Sequence, residues 1–335
     1  MEMYIFNDDQ IGWQVARELI DAAKRGVQVR VLYDAIGCRG SSTRFFDTMK
    51  QAGVNAIPYH PTRFWRPRFW TLIRRNHRKT LVCDSRIAFT GGVNISREWL
   101  PTSEGGEGWK DASIMIQGPA VGAIERTFLY TWNWRAKRRH RLRLPSSSTP
   151  EPAGSIPLAI IANRELIDRF AIRRAALHAI RASRSRIYLE SPYFLPDLSF
   201  LRSLANAAQR GVDVRLLLPE TSDALIVDLA CRATFGRLLP HGVRIFLHSP
   251  MVHAKALLVD DVFVSIGSYN FDHRSLVYNL ELVANAFDQS FNSHTSEMLL
   301  SHMTGARELI WEAYRKRSLL SKVLEKLAYC FRHWL

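Results

Sequence analysis

The feature that most constrains the fold is an internal repeat, in which two stretches of the chain carry the same succession of sequence patterns. Residues 1–34 and residues 189–220 each begin with a strand-like segment and continue with a loop and an amphipathic helical pattern. An Arg-Gly-Val turn then follows in both, at Arg25 and at Arg210, and leads into an apolar strand. A repeat of this length predicts a duplicated α/β domain, with strands and helices alternating in each half.

A second repeat places polar residues inside strand-like sequence, where a buried strand alone would favour apolar ones. The spacing His-x-Lys-x4-Asp occurs twice, and seven residues beyond each Asp begins Gly-Gly-x-Asn or Gly-Ser-x-Asn. A single match of this kind arises by accident too often to carry weight, whereas two matches with equal offsets inside a repeated fold do not. The repeated residues are His77, Lys79, Asp84 and Asn94, and then His253, Lys255, Asp260 and Asn270.

The composition changes between the halves over residues 135–157, which begin with a basic run and continue with a tract of Pro, Ser and Gly. Such a tract predicts a linker. We therefore predict a first domain over 1–134 and a second domain over 158–305, followed by a basic amphipathic helix over 306–335. The second domain has a helical pattern before its first strand that the first domain lacks. Either the first domain has no such helix or the chain begins late.

The charge balance narrows the class of partner. The chain has 46 Lys and Arg against 31 Asp and Glu, a net charge of +15, which favours nucleic acid or an anionic lipid surface as the partner.

Four scattered cysteines with no Cys-x-x-Cys pair predict a reducing, cytoplasm-facing compartment. No apolar run approaches the roughly 20 residues that span a bilayer, and no signal peptide is evident, so we expect a soluble or peripheral protein.

The repeated polar residues suit chemistry at a phosphodiester, provided that the two halves bring them together. One imidazole can attack phosphorus as a covalent nucleophile, and the other can protonate the leaving oxygen and then accept a proton from an incoming alcohol. Lysine and asparagine side chains can donate hydrogen bonds to the non-bridging oxygens. No set of His, Cys and carboxylate residues has metal-ligand spacing, so we predict that the reaction needs neither a metal ion nor another cofactor.

The paired His-x-Lys-x4-Asp segments resemble those of the phospholipase D superfamily. The resemblance implies a duplicated α/β/α sandwich, with two domains related by a pseudo-twofold axis and an active site at their interface. In the family one motif His forms a phosphohistidine, more often that of the first half, which favours His77; the motif Asp is usually structural. The positions matching the family's motif and phosphate-binding residues are His77, Lys79, Asp84, His253, Lys255, Asp260, Asn94, Asn270 and Ser268.

Each imidazole also needs a carboxylate on its other nitrogen to fix its tautomer. Equivalent strands downstream of the two motifs offer Asp111 and Glu281, which resemble the family's orienting acids. An ordinary surface ion pair is the alternative interpretation of each acid. Gly92 stands in the first half where the second half has Ser268, so one hydroxyl donor is absent there.

Two segments bear on the choice between lipid and nucleic acid, because the superfamily acts on both. Residues 59–76 interleave Arg with Phe and Trp directly before His77, and the second half has no matching insert. Such a loop suits the lipid headgroup region or, equally, the bases of single strands. Near the C-terminus, apolar residues at helical spacing lie among basic ones, which is typical of a membrane-surface helix; docking on its own domain is the alternative. The apolar residues are Leu320, Leu324, Leu327, Phe331 and Trp334.

The segments GGVNIS, WKDASIMIQGPAV and YIFNDDQIG resemble bacterial cardiolipin synthases of the phospholipase D type, particularly their shorter B-type forms. The resemblance implies transfer of a phosphatidyl group from phosphatidylglycerol to the alcohol of a second phospholipid. We expect a peripheral enzyme on the anionic phospholipid surface at the cytoplasmic face of the bacterial inner membrane, with no nucleic-acid partner. Hydrolysis to phosphatidic acid, cleavage of single-stranded nucleic acid and lipid binding without catalysis are the alternatives.

Overall fold

Two mixed β-sheets, one in each half of the chain, form the centre of the structure, which is a computed structural model. It describes residues 1–61, 69–138, 141–142, 151–163 and 168–335, with the backbone alone at 69 and 70. Much of the aromatic and basic segment over 59–76 lies outside the described residues, as does much of the linker over 135–157.

The first sheet has six strands, which are β1 (Glu2–Met3), β2 (Arg30–Asp34), β3 (Asn55–Tyr59), β4 (Thr80–Cys83), β5 (Ile87–Gly91) and β6 (Ser113–Gln117). They lie in the order β3-β2-β1-β4-β5-β6, parallel from β1 to β3 and antiparallel from β4 to β6. The helices of this half are α1 (Gln10–Lys24), α2 (Thr43–Gln51), α3 (Phe69–Ile73) and α4 (Val121–Arg135).

The second sheet has eight strands, which are β7 (Leu158–Ala162), β8 (Arg186–Glu190), β9 (Asp213–Pro219), β10 (Arg244–His248), β11 (Ala256–Val259), β12 (Phe263–Gly267), β13 (Leu282–Phe287) and β14 (Arg307–Glu308). Their order is β14-β10-β9-β8-β11-β12-β13-β7. The helices of this half are α5 (Ala171–Ala182), α6 (Leu198–Gln209), α7 (Leu225–Phe235), α8 (His273–Val277), α9 (Gln289–Met303), α10 (Trp311–Arg315) and α11 (Leu319–Cys330).

Equivalent helices begin and end in the same way in the two halves. Asp9 precedes α1 and Asp197 precedes α6, and both carboxylates accept hydrogen bonds from backbone N–H groups of the first helical turn. Gly26 and Gly211 follow these helices with φ of +91°, a left-handed conformation that glycine adopts without steric cost. The repeat in the sequence therefore corresponds to a duplicated α/β fold, as predicted.

The two halves share an apolar core. Ile114 and Ile116 of β6 form one buried cluster with Leu258 of β11 and Ile266 of β12, together with residues of α4 and α9. Each half has in addition a core of its own between its sheet and its helices. Because apolar burial is the main stabilising contribution, the shared cluster holds the two sheets as one unit. The ends of the motif strands thereby come together.

The two sheets differ at one edge. In the second half β7 pairs with β13 in antiparallel register, from Leu282 opposite Ala162 to Ala286 opposite Leu158. Within the described residues, no strand pairs with the equivalent outer edge of β6, and the first half has no counterpart of α5.

The C-terminal region is divided rather than forming one helix over 306–335. Residues 307–308 extend the second sheet as β14, α10 follows, and Ser318 caps the separate helix α11. Helix α11 packs on α7 through Glu325 and Ala328, which are buried. The apolar residues that were predicted to share one helical face do not take part in this packing, and their side chains are 44% to 69% exposed. We call this set the C-terminal apolar face: Leu320, Leu324, Leu327, Phe331 and Trp334. Among the helices described, none is both long enough and apolar enough to cross a bilayer.

The motif aspartates both lie at hairpin turns with positive φ, +51° at Asp84 and +52° at Asp260. The Asp260 carboxylate accepts hydrogen bonds from the backbone N–H groups of Arg184, Ser185 and Arg186, at 2.8 to 3.2 Å. Burial raises the pKa of Asp260, but the hydrogen bonds from these backbone donors lower it by more, so the pKa lies below the usual 3.8. This carboxylate thus connects the β11–β12 turn to the start of β8.

We predict that Asp260→Asn lowers the free energy of unfolding by about 2 kcal/mol at neutral pH, because hydrogen bonds to a charged acceptor are lost. The folded pKa lies below the unfolded value, so the contribution is complete above pH 3.8 and disappears as the pH falls through the folded pKa. Urea unfolding at several pH values measures it. Asp261→Asn is the control, since that side chain is 65% exposed and pairs with Arg186 at the surface. Equal losses in the two variants would contradict the prediction.

Candidate active site

Two isolated bridges between the halves bring the motif histidines to one place. Asn76 pairs with Leu280, and Val252 pairs with Lys110, so that equivalent backbone segments cross at each point. The backbone N–H of His77, next to Asn76, donates to Leu280 O at 3.0 Å. His77 consequently lies beside Glu281, and His253 lies beside Asp111, because each acid directly follows the bridging residue of the other half.

His77 is oriented by the second half. Its Nδ1 lies 3.0 Å from Glu281 Oε1 and 3.0 Å from the carbonyl oxygen of Ser268, so we assign the Nδ1 proton to this contact. The ring packs edge-on against Tyr4, with 4.7 Å between ring centroids. With Nδ1 engaged, Nε2 is the nitrogen whose lone pair remains for chemistry.

His253 is oriented by the first half in the same way. Its Nδ1 lies 2.7 Å from Asp111 Oδ2. Its ring lies against two indoles, 5.0 Å from Trp99 and 5.5 Å from Trp109 between centroids. The surface ion-pair interpretation of Asp111 and Glu281 is therefore wrong, because both carboxylates are buried against an imidazole of the opposite half.

The motif lysines occupy equivalent places. Lys79 Nζ donates to the carbonyl oxygen of His77 at 2.7 Å, and Lys255 Nζ donates to that of His253. Lys255 Nζ also lies 3.1 Å from His253 Nε2, and Lys79 Nζ lies 5.0 Å from the ring centroid of Tyr4. Both ammonium groups are buried, so each adds positive charge to the interior beside an imidazole.

Burial, together with the nearby ammonium groups, lowers the affinity of the imidazoles for protons. Burial, followed by the nearby ammonium of Lys79, lowers the pKa of His77 to about 4 despite the opposing carboxylate of Glu281. Burial, followed by Lys255, lowers the pKa of His253 to about 3. Without a bound anion both imidazoles are therefore neutral at pH 7.

The lysines act on each other across the interface. Burial and then the Lys255 ammonium lower the pKa of Lys79 well below its usual 10.5. Burial lowers the pKa of Lys255 to about 8, against the opposing carboxylates of Asp111 and Glu281. The four motif side chains thus share one electrostatic environment, and an anion between them would relieve the repulsion of the two ammonium groups.

The two acids are held by different groups. Glu281 accepts hydrogen bonds from the hydroxyls of Ser268 and Ser275. Asp111 instead accepts one from Trp99 Nε1 at 2.8 Å. A Cβ at Gly92 would lie 2.2 Å from Asp111 Oδ1, so the first half has no room for the serine of the second. The indole N–H replaces the missing hydroxyl.

The sequence analysis did not identify Trp99 or Ser275, since neither belongs to the repeated motif. Trp99 lies in a short 3-10 helix, Arg97–Trp99, five residues beyond Asn94. The sequence signal that could have indicated an indole donor is the presence of two tryptophans, Trp99 and Trp109, near Asp111.

The two motif asparagines are both buried. Asn94 Oδ1 accepts a hydrogen bond from the backbone N–H of Ile5 at 3.1 Å, which leaves its amide N–H groups for another acceptor. Asn270 Oδ1 is buried with no hydrogen-bond partner among the described residues. Ser268 is buried as well, and its hydroxyl is directed to Glu281 and not to a free position.

The motif aspartates are not part of this cluster. The four-residue strand β4 lies between Lys79 and Asp84, and β11 likewise separates Lys255 from Asp260, a spacing of about 17 Å at 3.3 Å per residue. Both aspartates belong to the repeated motif that predicts the active site. The structure separates them from the imidazoles, because extended strands carry the chain away from the interface before each turn.

Residues between and beside the motif residues are structural. Arg75, in the aromatic and basic segment over 59–76, is 1% exposed and donates to the buried carboxylate of Asp34 at 2.7 Å. Arg78 is also 1% exposed and crosses the interface, where Nε donates to Glu281 O at 3.2 Å and Nη1 to Thr131 Oγ1 at 3.0 Å. Buried guanidinium groups of this kind hold the His77 segment in place.

No group of three or more His, Cys, Asp or Glu side chains in the described parts of the chain has the arrangement of a metal site. The reaction's independence of metal ions and other cofactors remains a prediction.

Comparison with known proteins identifies the family. The family model described as "Cardiolipin synthase, PLD-like domain" matches residues 1–132 and 176–303. Cardiolipin synthase 1 of Bacillus anthracis is 32% identical over 335 residues, which cover 97% of this chain and 65% of the relative. The major cardiolipin synthase ClsA of Bacillus subtilis is 31% identical over 331 residues, which cover 98% and 68%. The chain thus spans about two thirds of the length of these relatives.

A solved structure supports the fold independently. Phosphatidylserine synthase of Haemophilus influenzae Rd KW20 superposes with a TM-score of 0.73 at 12% identity, covering 98% of this chain and 86% of that one. At this identity the likeness concerns the fold alone. The repeated motif, the interlocked halves and the family match together show that the chain belongs to the cardiolipin synthase family of phospholipase D-like proteins.

Proposed function

We propose that the protein is a phosphatidyltransferase, which moves a phosphatidyl group from phosphatidylglycerol to the hydroxyl of a second phospholipid through a phosphohistidine. The observation that carries the proposal is the reciprocal arrangement of the two imidazoles, each held at Nδ1 by a carboxylate of the opposite half. Such an arrangement supplies one nucleophile and one acid/base catalyst from a single interface.

In the first step, Nε2 of His77 attacks phosphorus and the bond from phosphorus to the glycerol oxygen breaks. His253, protonated at Nε2, gives its proton to the departing glycerol. The pKa of about 3 for His253 belongs to the site without substrate; the negative phosphodiester between the imidazoles raises it and allows the ring to bind a proton.

In the second step, the neutral His253 accepts a proton from the hydroxyl of the second phospholipid. The resulting oxygen attacks phosphorus, the bond to His77 Nε2 breaks, and both histidines return to their initial states. Glu281 and Asp111 remain ionised and stabilise the imidazolium forms. Burial alone would raise the pKa of both acids, but His77 lowers the pKa of Glu281, and His253 lowers that of Asp111 to about 2.

Charge at the five-coordinate phosphorus is stabilised by donors already in place. The ammonium groups of Lys79 and Lys255 and the amides of Asn94 and Asn270 are buried, so they need little reorganisation when charge develops. Removal of one such donor typically costs 10²–10³-fold in rate. These residues are our candidates for binding the non-bridging oxygens.

Transfer to a lipid is favoured over the alternatives for two reasons. The relatives that cover nearly the whole chain are named cardiolipin synthases. In addition, the C-terminal apolar face is exposed, which suits a protein whose substrates lie in a bilayer and does not suit a soluble nuclease.

We propose that this face inserts into the headgroup region of an anionic membrane, at the cytoplasmic side of the bacterial inner membrane. Lys322 and Lys326 on α11, and Arg332 after it, place positive charge around the apolar side chains. An amphipathic helix of this composition binds through apolar burial together with attraction to anionic lipid. Helix α11 contacts α7 through a different face, so membrane contact requires no unpacking.

The first expected outcome is that the protein converts labelled phosphatidylglycerol in mixed micelles, with EDTA present, to cardiolipin and free glycerol. Thin-layer chromatography of lipid and aqueous products measures both. Phosphatidic acid as the main product would indicate hydrolysis. No lipid conversion together with cleavage of single-stranded DNA would contradict the proposal in favour of a nuclease.

Two variants serve as the matched controls for this assay. His77→Asn lacks the nucleophile and forms neither cardiolipin nor a covalent intermediate. His253→Asn retains the nucleophile, so it accumulates labelled enzyme from a phosphatidyl donor with a p-nitrophenol leaving group, which needs no proton. Label retained by the His77 variant would reverse the two roles. Circular dichroism checks that both variants are folded.

We expect Trp99→Phe to reduce kcat by about 10- to 100-fold, the range found when a group that orients a ligand or catalyst is removed. The KM for phosphatidylglycerol stays within about twofold, because Trp99 acts on Asp111 and not on substrate. Trp109→Phe is the control, since its Nε1 donates to the exposed Glu107 and it contacts the same imidazole. Equal losses of kcat in both variants would refute the positioning role.

We also expect Leu320→Glu combined with Leu327→Glu to lower sedimentation with phosphatidylglycerol vesicles by at least tenfold, because each change removes an apolar side chain worth about 1.5 kcal/mol or more on burial. Val27→Glu, at a 49% exposed position on the first half, is the control. Unchanged sedimentation of the double variant would assign membrane binding to another surface.

A further inference from the structure

A polar groove on the outside of the second half lies between the last turn of α5 and the outer side of α6. It encloses about 340 Å³, and its lining residues are Arg181, Ser199, Arg202, Ser203, Asn206 and Arg210. Three of these six side chains are guanidinium groups, and the lining includes neither a carboxylate nor an apolar side chain. The groove therefore gathers positive charge with hydroxyl and amide donors between the charges.

Two of the three guanidinium groups are held in place by neutral acceptors. Arg181 donates through Nε to Ser203 Oγ at 3.4 Å and through Nη2 to Ser199 Oγ at 3.2 Å. Arg210 donates through Nη2 to carbonyl groups at the end of α5 and just beyond, including Ser183 O at 3.3 Å. A guanidinium has five N–H donors, so these contacts orient the side chains and leave donors for a ligand.

Several arginines of this half have no carboxylate partner among the described residues, and three of them meet in this groove. Arg173, on the same helix as Arg181, pairs with Asp197, and six other arginines of this half also pair with carboxylates. In the described ranges, no carboxylate lies within ion-pair distance of Arg181, Arg202 or Arg210. Like charges without an internal partner favour an anion from outside the chain.

The position of the groove connects it to the membrane and to the candidate active site. Ser199 also lines a neighbouring cavity of about 320 Å³, whose wall includes Arg332 and Tyr269 together with the carboxylates of Asp197 and Asp272. Arg332 directly follows Phe331 of the C-terminal apolar face, and Tyr269 directly precedes the motif residue Asn270. The groove and the C-terminal apolar face therefore border the same cavity, through Ser199 on one side and Arg332 on the other.

We propose that the groove binds the phosphate of an anionic phospholipid headgroup, as a second phosphate site separate from the candidate active site. The proposal rests on the membrane contact stated under the proposed function. Guanidinium groups match phosphate oxygens with paired N–H donors, and the serine and asparagine side chains supply further ones. The volume of about 340 Å³ suits a glycerophosphate group.

The test compares two double variants of the full chain in sedimentation with vesicles of phosphatidylglycerol in phosphatidylcholine. Arg181→Gln with Arg202→Gln removes two charges from the groove, and Arg17→Gln with Arg25→Gln removes two exposed charges from α1 and its C-cap in the other half. A basic residue at an anionic surface contributes about fivefold to partitioning, so the groove variant loses about 30-fold. The α1 variant changes by less than about threefold. Equal losses would assign the effect to net charge and overturn the proposal.

Arg202→Gln alone guards against a folding defect, because that side chain makes no hydrogen bond within the described part of the chain. This variant is expected to lose about fivefold in vesicle binding with an unchanged melting temperature.

Titration with inorganic phosphate tests the other source of the same chemistry. Phosphate binding abolished by the groove variant, with unaltered vesicle binding, would make free phosphate the occupant and overturn the headgroup assignment. If the unmodified protein does not sediment with vesicles, the membrane contact fails as well; if it does and the groove variant matches its control, only the groove proposal fails.

Discussion

The reciprocal exchange of acids between the halves is the interaction on which the rest of the site depends. Glu281 of the second half orients His77, and Asp111 of the first half orients His253. Neither half contains both a motif imidazole and the carboxylate that orients it. The shared apolar core must therefore form before any of the proposed chemistry is possible, and packing of the two sheets is inseparable from assembly of the site.

The site contains two buried ammonium groups, and the two buried carboxylates beside them are each engaged by an imidazole. Lys79 and Lys255 are buried near each other, and burial lowers the pKa of both. Such a cluster is costly without an anion and favourable with one, which is the property that a phosphodiester-binding site requires. The buried guanidinium of Arg78 adds rigidity from the first half, whereas Ala254 stands at the equivalent position of the second motif.

The C-terminal region combines the two interpretations that its sequence allowed. Helix α11 docks on its own domain through Glu325 and Ala328, and the C-terminal apolar face is left exposed. A helix can satisfy both conditions because its faces are distinct, and periodicity alone identifies an apolar face without indicating what covers it. The groove of Arg181, Arg202 and Arg210 has no counterpart in the sequence analysis, since its residues come from two helices and form no linear motif.

The sequence by itself determined the duplicated α/β fold, the eight repeated motif residues and the two candidate acids, because these features depend on local pattern and spacing. Only the tertiary structure decided which acid serves which histidine, that Trp99 replaces the hydroxyl excluded by Gly92, and that Asp84 lies at a distant turn. These results depend on how two surfaces far apart in the chain meet. Contacts of that kind follow from packing geometry, and no local pattern encodes them.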